Sequence, residues 1–420
     1  MLKRTRSFLV LVMLLMTVTM SAQVTTATMS GKVTAQDEPI IGATIVAIHE
    51  PSGTRYGTVT NVSGQFNLQG MRTGGPYKVE ISYVGYQTAI YKGINLLLGE
   101  NYVLNVSLKE SSELLDEVVV TASKESNMKS DRAGAIMNAN RDMISNTPTI
   151  SRSISDIMRL SPQGADVGNG FAVGGGNYRQ SFVTVDGAAF NNTFGLGGNL
   201  PANGSPISLD ALEQVTVAVT PFDVRQSGFT GGAINAVTRS GDNQFRGTAY
   251  MYFNNENLKG SKVDDYELLR SKAQYYTYGA SFGGPIIKDK LFFFVNGEYE
   301  DNVTAGSNYR PRTALGESYS GGNIHRPLQS DMDDMRGFLL NKYNFDPGKY
   351  NDYSTDTPAY RVMARVDWNA NQNNKVSFRF TKTHTKDSNF PTSSVSPLST
   401  SALYPGGTST EVIDGKPVGT

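Results

Sequence analysis

Tyr360-Arg-Val-Met-Ala-Arg-Val-Asp-Trp368 alternates along its whole length: Tyr360, Val362, Ala364, Val366 and Trp368 share one parity, while Arg361, Met363, Arg365 and Asp367 share the other. A period of two belongs to a β-strand, whose successive side chains point to opposite faces. An arginine facing lipid costs roughly 2–4 kcal/mol near the bilayer midplane and less toward the interfaces. If this strand crosses a membrane, its arginines therefore point inward. A strand of a soluble sandwich with one wet face alternates in the same way, so the segments around it decide.

Four more segments repeat the pattern. Phe245–Asn254 sets Phe245, Gly247, Ala249, Met251 and Phe253 against Arg246, Thr248, Tyr250, Tyr252 and Asn254. Gln274–Phe282 sets Tyr276, Tyr278, Ala280 and Phe282 against Thr277, Gly279 and Ser281. Leu291–Glu300 sets Leu291, Phe293, Val295 and Tyr299 against Asn296, Glu298 and Glu300, with Phe292 and Phe294 blurring its start. Lys375–Thr383 sets Val376, Phe378 and Phe380 against Ser377, Arg379 and Thr381. The connections alternate in length. Gly283–Lys290 and Asn369–Asn374 are short, whereas 255–273, 301–359 and 384–420 are long, polar and rich in Gly, Ser, Asp and Asn. Outer-membrane barrels have short periplasmic turns and long outer loops. Residues 245–420 accordingly read as the start of a transmembrane antiparallel β-barrel.

The N-terminus reads as an export signal over residues 1–22. Lys3, Arg4 and Arg6 form a basic start, Phe8 to Met20 is an apolar run, and cleavage is expected between Ala22 and Gln23 or just after Ser21. The chain has no Cys, which excludes a lipoprotein signal, a disulfide and a thiolate metal site. After residue 23 no stretch approaches the roughly 20 apolar residues of a membrane helix. Export without helix or lipid anchor, in a chain patterned for a bilayer, predicts the outer membrane of a Gram-negative cell. With 38 basic and 38 acidic residues the formal charge is zero, which argues against a nucleic-acid partner.

Residues 28–109 read as short strands split by turns. Val79, Ile81 and Tyr83 alternate with Lys78, Glu80 and Ser82, and Tyr102, Leu104, Val106 and Leu108 alternate with Val103, Asn105 and Ser107. This predicts a small β-sandwich. Residues 125–241 mix both periods. Thr147 with Pro148 reads as a helix start, followed by a stripe of Ile150, Ile154, Ile157 and Met158 that Ser161 and Pro162 end. Phe182–Gly187 and Glu213–Thr220 read as strands. Ser205 and Ser208 read as members of an ordinary loop. The fold expected is mainly β: a sandwich, then a mixed α/β zone that resembles the plug of outer-membrane receptors, then the first strands of a barrel. Five strands cannot close a lumen, and barrels that hold such a plug use about 22, so further strands are expected beyond Thr420.

Family resemblance adds function to this outline. Pro39–Ala47, Thr60–Leu68 and Tyr83–Gln87 resemble the carboxypeptidase regulatory-like domain, a non-enzymatic module found ahead of the plug in many transporters of Bacteroidetes-type bacteria. Asn61 stands where that family usually has Asp, and either can cap a turn through its side-chain oxygen. Pro206–Thr216, Pro221–Gly241 and Gly284–Val295 resemble the Oar-like branch of the TonB-dependent receptors. Starch-type glycan importers end their plug motif in a lysine-rich Thr-Lys-Lys-Gly, from which Thr238-Arg239-Ser240-Gly241 departs.

Between sandwich and plug, residues 115–122 hold Leu115, Asp116, Glu117, Val118, Val119, Val120 and Thr121, a run that resembles a TonB box. Taken from its residues alone, the run suits either a ready edge strand or a buried strand of the preceding sandwich. The resemblance implies that a TonB-like energy-transducing protein captures it by strand addition, where main-chain hydrogen bonds supply the grip.

Catalytic chemistry is missing from the sequence. His49, His325 and His384 have no second ligand at zinc spacing, and there is neither a Gly-x-Ser-x-Gly elbow nor a Walker loop. Gly168–Gly176 and Gly195–Gly198 read as plug loops, and Tyr275, Tyr276 and Tyr278 as barrel wall. Asp331, Asp333 and Asp334 read as a solvated acidic loop rather than a Ca²⁺ loop, since the Glu and Gly of an EF-hand are out of register. The expectation is a non-enzyme without cofactor: an active transporter of an unidentified ligand bound near 168–204, seated in outer-membrane lipid and served by a TonB-like protein, with a surface lipoprotein as a further partner to test for. The alternative is a structural or adhesive barrel that displays its loops. A secreted enzyme would need a catalytic constellation beyond residue 420.

Overall fold

Short strands punctuated by turn residues build the first layer of the protein, seen here in a computed structural model. It describes residues 25–110, 118–121, 136–149, 152–167, 170–192, 198, 200, 205–219, 231–258, 262–263, 266–267, 272–305, 310–317, 324–350, 353–371, 374–386, 410–413 and 416–419. The signal expected at 1–22, Leu115–Glu117 of the box-like run, Ile150 of the helix stripe, residues 168–169 and 193–197 of the glycine-rich segments, and the whole of 221–230 lie outside them. The chain divides into two compact units, one of Met1–Ala249, Gly279–Glu298 and Arg361–Thr383, the other of Tyr250–Tyr278, Tyr299–Tyr360 and His384–Thr420.

The sandwich comprises β1 (Ala27–Ala35), β2 (Glu38–Pro39), β3 (Thr44–His49), β4 (Thr54–Val59), β5 (Gln65–Met71), β6 (Gly74–Ser82), β7 (Ala89–Leu96), β8 (Asn101–Val103) and β9 (Val106–Ser107). One sheet runs β2-β1-β5, with β8 and β9 parallel to β1. The other runs β7-β6-β3-β4 and is extended beyond β7 by β10 (Val118–Thr121). Met29, Val33, Ile45, Ala47, Val79, Ile81, Leu104 and Val106 fill the space between the sheets. Val79, Ile81, Leu104 and Val106 follow the alternation read in the sequence, whereas Tyr83 lies past the end of β6 and is exposed. Asn61 caps its turn as expected: its Oδ1 accepts from the Ser63 and Gln65 N–H groups at 3.0 and 2.9 Å.

The plug sheet holds β11 (Ile136–Ala139), β14 (Phe182–Val185), β15 (Ala188–Ala189), β16 (Leu212–Ala218) and β17 (Ala233–Thr238), in the order β11-β16-β17-β14-β15. A separate pair, β12 (Gly164–Asp166) and β13 (Phe171–Val173), lies between them in the chain. Asp186 and Gly187 form the two-residue turn from β14 to β15, with φ of 50° and 83°. Positive φ at both positions is what a type I′ hairpin turn needs. Helices α1 (Arg141–Asn146) and α2 (Ile154–Met158) pack on this sheet, and Ile154, Ile157 and Met158 are buried as their spacing predicts.

The helix start expected at Thr147 is displaced. Thr147 closes α1 instead, donating its N–H and Oγ1 to the Met143 carbonyl at 3.0 and 2.6 Å. The next helix starts after Ser153, whose N–H donates to Asp156 Oδ2 at 3.4 Å. A threonine hydroxyl serves either end of a helix, so the residue type alone could not separate the two roles.

Five long strands follow: β18 (Arg246–Asn255), then, past the short pair β19 (Lys262–Val263) and β20 (Tyr266–Glu267), β21 (Gln274–Ile287) and β22 (Leu291–Ala305). After β23 (Arg310–Arg312), β24 (Ile324–Leu328) and β25 (Ser354–Asp356) come β26 (Ala359–Asn369) and β27 (Lys375–Thr385). They form an up-and-down sheet in chain order, β18-β21-β22-β26-β27, and among the described residues it is open. Arg361 is 2% exposed and Arg365 6%, against 43% for Val362 and 50% for Trp368, so the parity reading holds. Phe245, Met251, Phe253, Tyr278, Phe282, Tyr299, Val376 and Phe378 are likewise exposed on the apolar face.

In the second unit, α3 (Gln329–Tyr343) ends at Asn344, whose φ of 50° is the left-handed cap conformation. Asp331, Asp333 and Asp334 lie on this helix rather than in a loop, and Tyr350 donates its hydroxyl to Asp333 at 2.6 Å. The described residues contain no cluster arranged to hold a metal.

Candidate functional site

Polar side chains on the inward parity of the strands meet the plug at three places. The first is built on Ser205 and Ser208, just before the short 3₁₀ turn Leu209–Ala211. Ser208 Oγ donates to Glu298 Oε2 at 2.8 Å, and Arg361 Nη1 reaches Glu298 Oε1 at 3.0 Å. Arg361 Nε also donates to the Ser205 carbonyl, and Thr383 Oγ1 donates to the Pro206 carbonyl at 2.5 Å. The segment read as an ordinary loop is thus buried against the wall. Its signal in the sequence was indirect: inward Glu298 and Arg361 needed partners, and a buried charge without one is costly.

Asp210 anchors the second contact. Arg141 Nη2 approaches its Oδ1 at 3.0 Å and Arg239 Nη1 at 3.4 Å, while Thr248 Oγ1 donates to Oδ2 at 2.6 Å. Burial pushes this carboxyl up, but the Ser281 and Thr248 hydroxyls and the two guanidinium groups outweigh it and hold it below the usual carboxylate range. Next to it, Glu213 is pushed up, because burial outweighs the attraction of Arg141, Arg239, Arg365 and Arg72.

The third contact centres on Asp186 in its hairpin turn. Its carboxylate accepts from the Thr238 N–H at 3.1 Å and the Thr238 hydroxyl at 2.5 Å, and lies 3.4 Å from Arg379 Nε. Arg365 donates to the Thr238 carbonyl at 2.5 Å and grips Asp367 through Nε and Nη2 at 2.8 and 3.1 Å. Ser377 Oγ adds a bond to Asp367 Oδ1 at 2.5 Å.

Two inward phenylalanines break the polar parity, and each meets protein on its inner side: Phe294 the plug, Phe292 the sandwich. Phe294 packs into the plug core with Met363, under the Arg239 guanidinium 4.9 Å from its ring centre. Phe292 lies beneath Arg72 at 5.9 Å. Inward-facing apolar residues on an outer-membrane strand mark where the lumen is filled by protein rather than water.

The sandwich lies beside the short turns of the sheet. Arg72 Nη2 reaches Asp367 Oδ2 at 3.1 Å, Asn369 Nδ2 donates to Thr54 Oγ1 at 2.9 Å, and the Asn243 N–H donates to the Pro51 carbonyl at 2.9 Å. A cavity of about 540 Å³ remains there, lined in part by Arg72, Arg141, Glu213, Arg239, Asp367 and Lys375. Of the box residues, Val118, Val119, Val120 and Thr121 form β10, parallel to β7 in the register Val118↔Ala89 to Thr121↔Lys92. Val118–Thr121 therefore lie at the end of the second sheet of the sandwich. The loops expected to meet ligand near 168–204 are described only in part, and among the described residues no site comes together there.

Residues 28–109 match the carboxypeptidase regulatory-like domain, and residues 237–412 match the outer membrane beta barrel domain. The chain is 27% identical over 256 residues to the TonB-dependent transporter Oar of Myxococcus xanthus, covering 59% of this chain and 22% of that protein. It is 29% identical over 269 residues to the TonB-dependent receptor SusC of Bacteroides thetaiotaomicron, covering 60% of this chain and 24% of that protein. The chain thus spans about a quarter of the length of these relatives. Among solved structures, the siderophore receptor PirA from Acinetobacter baumannii aligns with a TM-score of 0.40 and 16% identity, over 60% of this chain and 31% of that one.

Proposed function

We propose, from the premise that this chain is a TonB-dependent receptor of the Oar type with an N-terminal carboxypeptidase regulatory-like domain, that it serves active import across the outer membrane. A TonB-like protein captures Leu115–Thr121 by strand addition, and its pull loosens the plug from the wall. The outer membrane holds no ATP, so the work comes from the inner membrane, where about 2.3 kcal/mol is available per charge per 100 mV.

The observation that carries this reading is the chemistry of the plug seat. Ser208, Asp210 and Asp186 hold the plug through hydrogen bonds and ion pairs to Glu298, Thr248 and Arg379. Such contacts exchange for water once it enters, whereas an apolar seal would oppose hydration. The plug is thus held firmly when dry and released when wetted.

Deleting residues 115–121 from the full-length protein tests the proposal. Assembly in the outer membrane should persist, while cross-linking to TonB in intact cells should be lost. Undiminished cross-linking would refute the assignment of the box. An adhesive barrel, the other class of function, would show no TonB cross-link in either form.

A further inference from the structure

Val118–Thr121 of the box form the end strand of a sheet, and among the described residues only one of their edges is in use. In the order β10-β7-β6-β3-β4, the main chain of Val118–Thr121 pairs with Ala89–Lys92, and among the described residues no strand pairs its other side. A segment of β-formers that is already extended, with one row of N–H and C=O groups facing outward, is a template for a further strand.

We infer that the sandwich presents the box to the TonB-like protein, whose strand adds to the outer edge of β10 while β7 keeps its hold on the inner edge. This rests on the assignment of Leu115–Thr121 as the captured segment. A flexible peptide must give up backbone freedom when it is captured, and that loss weakens binding. Along β7 the four residues have already given it up. Capture then breaks no existing pair, because a strand offers separate groups on its two edges. The outcome is a continuous sheet, partner–β10–β7–β6–β3–β4, which couples the pulling protein to the sandwich as well as to the plug.

The opposite arrangement, in which β7 hides the box and capture requires its release, uses the same contact and predicts the opposite result. The absence of native Cys makes the discrimination clean. Thr121→Cys with Lys92→Cys places the pair at facing register positions. The full-length double variant, purified in detergent, is tested oxidised and reduced against the isolated periplasmic domain of the cell's TonB protein by biolayer interferometry. The disulfide is expected to form, and the oxidised form should bind at least as tightly as the reduced form. Removing residues 28–109 should weaken binding by about tenfold, since the box must then be ordered on capture.

Loss of binding on oxidation alone would overturn presentation in favour of concealment. Failure of the disulfide to form in a correctly inserted protein would overturn the pairing itself. If sandwich removal leaves affinity unchanged or raises it, preorganisation is refuted. If wild type fails to bind TonB, and deletion of 115–121 changes nothing, the box assignment falls and this inference with it.

Discussion

Arg361 Nη1 lies 3.0 Å from Glu298 Oε1 across neighbouring strands, and the second oxygen of Glu298 takes the hydroxyl of Ser208 from the plug. Arg361 and Glu298 are both buried. The pair is therefore structural for the wall and, through one hydroxyl, adhesive for the plug. Removing one member leaves the other charge buried, a loss typically of about 3–5 kcal/mol.

Arg361→Met alone should strongly lower the urea concentration at which limited proteolysis cuts the plug. Combining it with Glu298→Gln should recover much of that loss, because the uncompensated carboxylate is gone. Equal effects of single and double variants would show that the pair carries no coupling.

Asp186 combines a charge with a left-handed turn conformation, and two substitutions separate these. Asp186→Asn keeps the turn, since Asn adopts positive φ readily, but loses the ion pair with Arg379. Asp186→Ala loses both and should cost roughly 1–2 kcal/mol more, because alanine has no short polar side chain whose local hydrogen bonds offset the strain of the left-handed conformation. Denaturant melts of the two variants measure the difference.

His49 gives the sandwich a pH dependence. Its Nδ1 lies 2.7 Å from Ser52 Oγ, and burial, with the nearby Arg72 guanidinium, pulls the imidazole down to about 3. A base whose folded pKa is depressed contributes stability above its unfolded value near 6.5 and loses it as pH falls toward 3. The loss should be at most about 1.4 kcal/mol per pH unit across that window. NMR titration of the full-length protein should show one histidine neutral down to pH 4, and His49→Gln should flatten the stability profile. An imidazole that titrates near 6.5 would remove this source of pH dependence.

The lipid face is tested by moving a charge one residue along a strand. Val362→Arg should cost about 2–4 kcal/mol if it sits near the bilayer midplane. Outer-membrane assembly, read by heat-modifiable gel mobility, should fall for Val362→Arg but not for Met363→Leu, the neighbour that faces the plug.

Most of the architecture was legible because it depends on period. The parity of Tyr360–Trp368 survives in the structure residue by residue, and so do the alternations of β6 and β22. Asn61 was legible as well, since a turn needs a short side-chain acceptor whatever its partners. What escaped was long-range pairing. Ser208 carries no local sign that Glu298, ninety residues later, will meet it. Phe292 and Phe294 looked like noise in a polar face until Arg72 of the sandwich and the plug core appeared behind them. The helix boundary at Thr147 failed for another reason, because a capping hydroxyl does not announce which end it serves.

Asp367 sits where three modules converge. Arg365 grips it from the same strand while reaching the Thr238 carbonyl of the plug, and Arg72 approaches it from the sandwich. Lifting the sandwich away would strip one cation from that carboxylate and tighten its claim on Arg365. Departure of the sandwich would thus be registered electrostatically at Arg365 and Thr238, ahead of any change carried along the polypeptide.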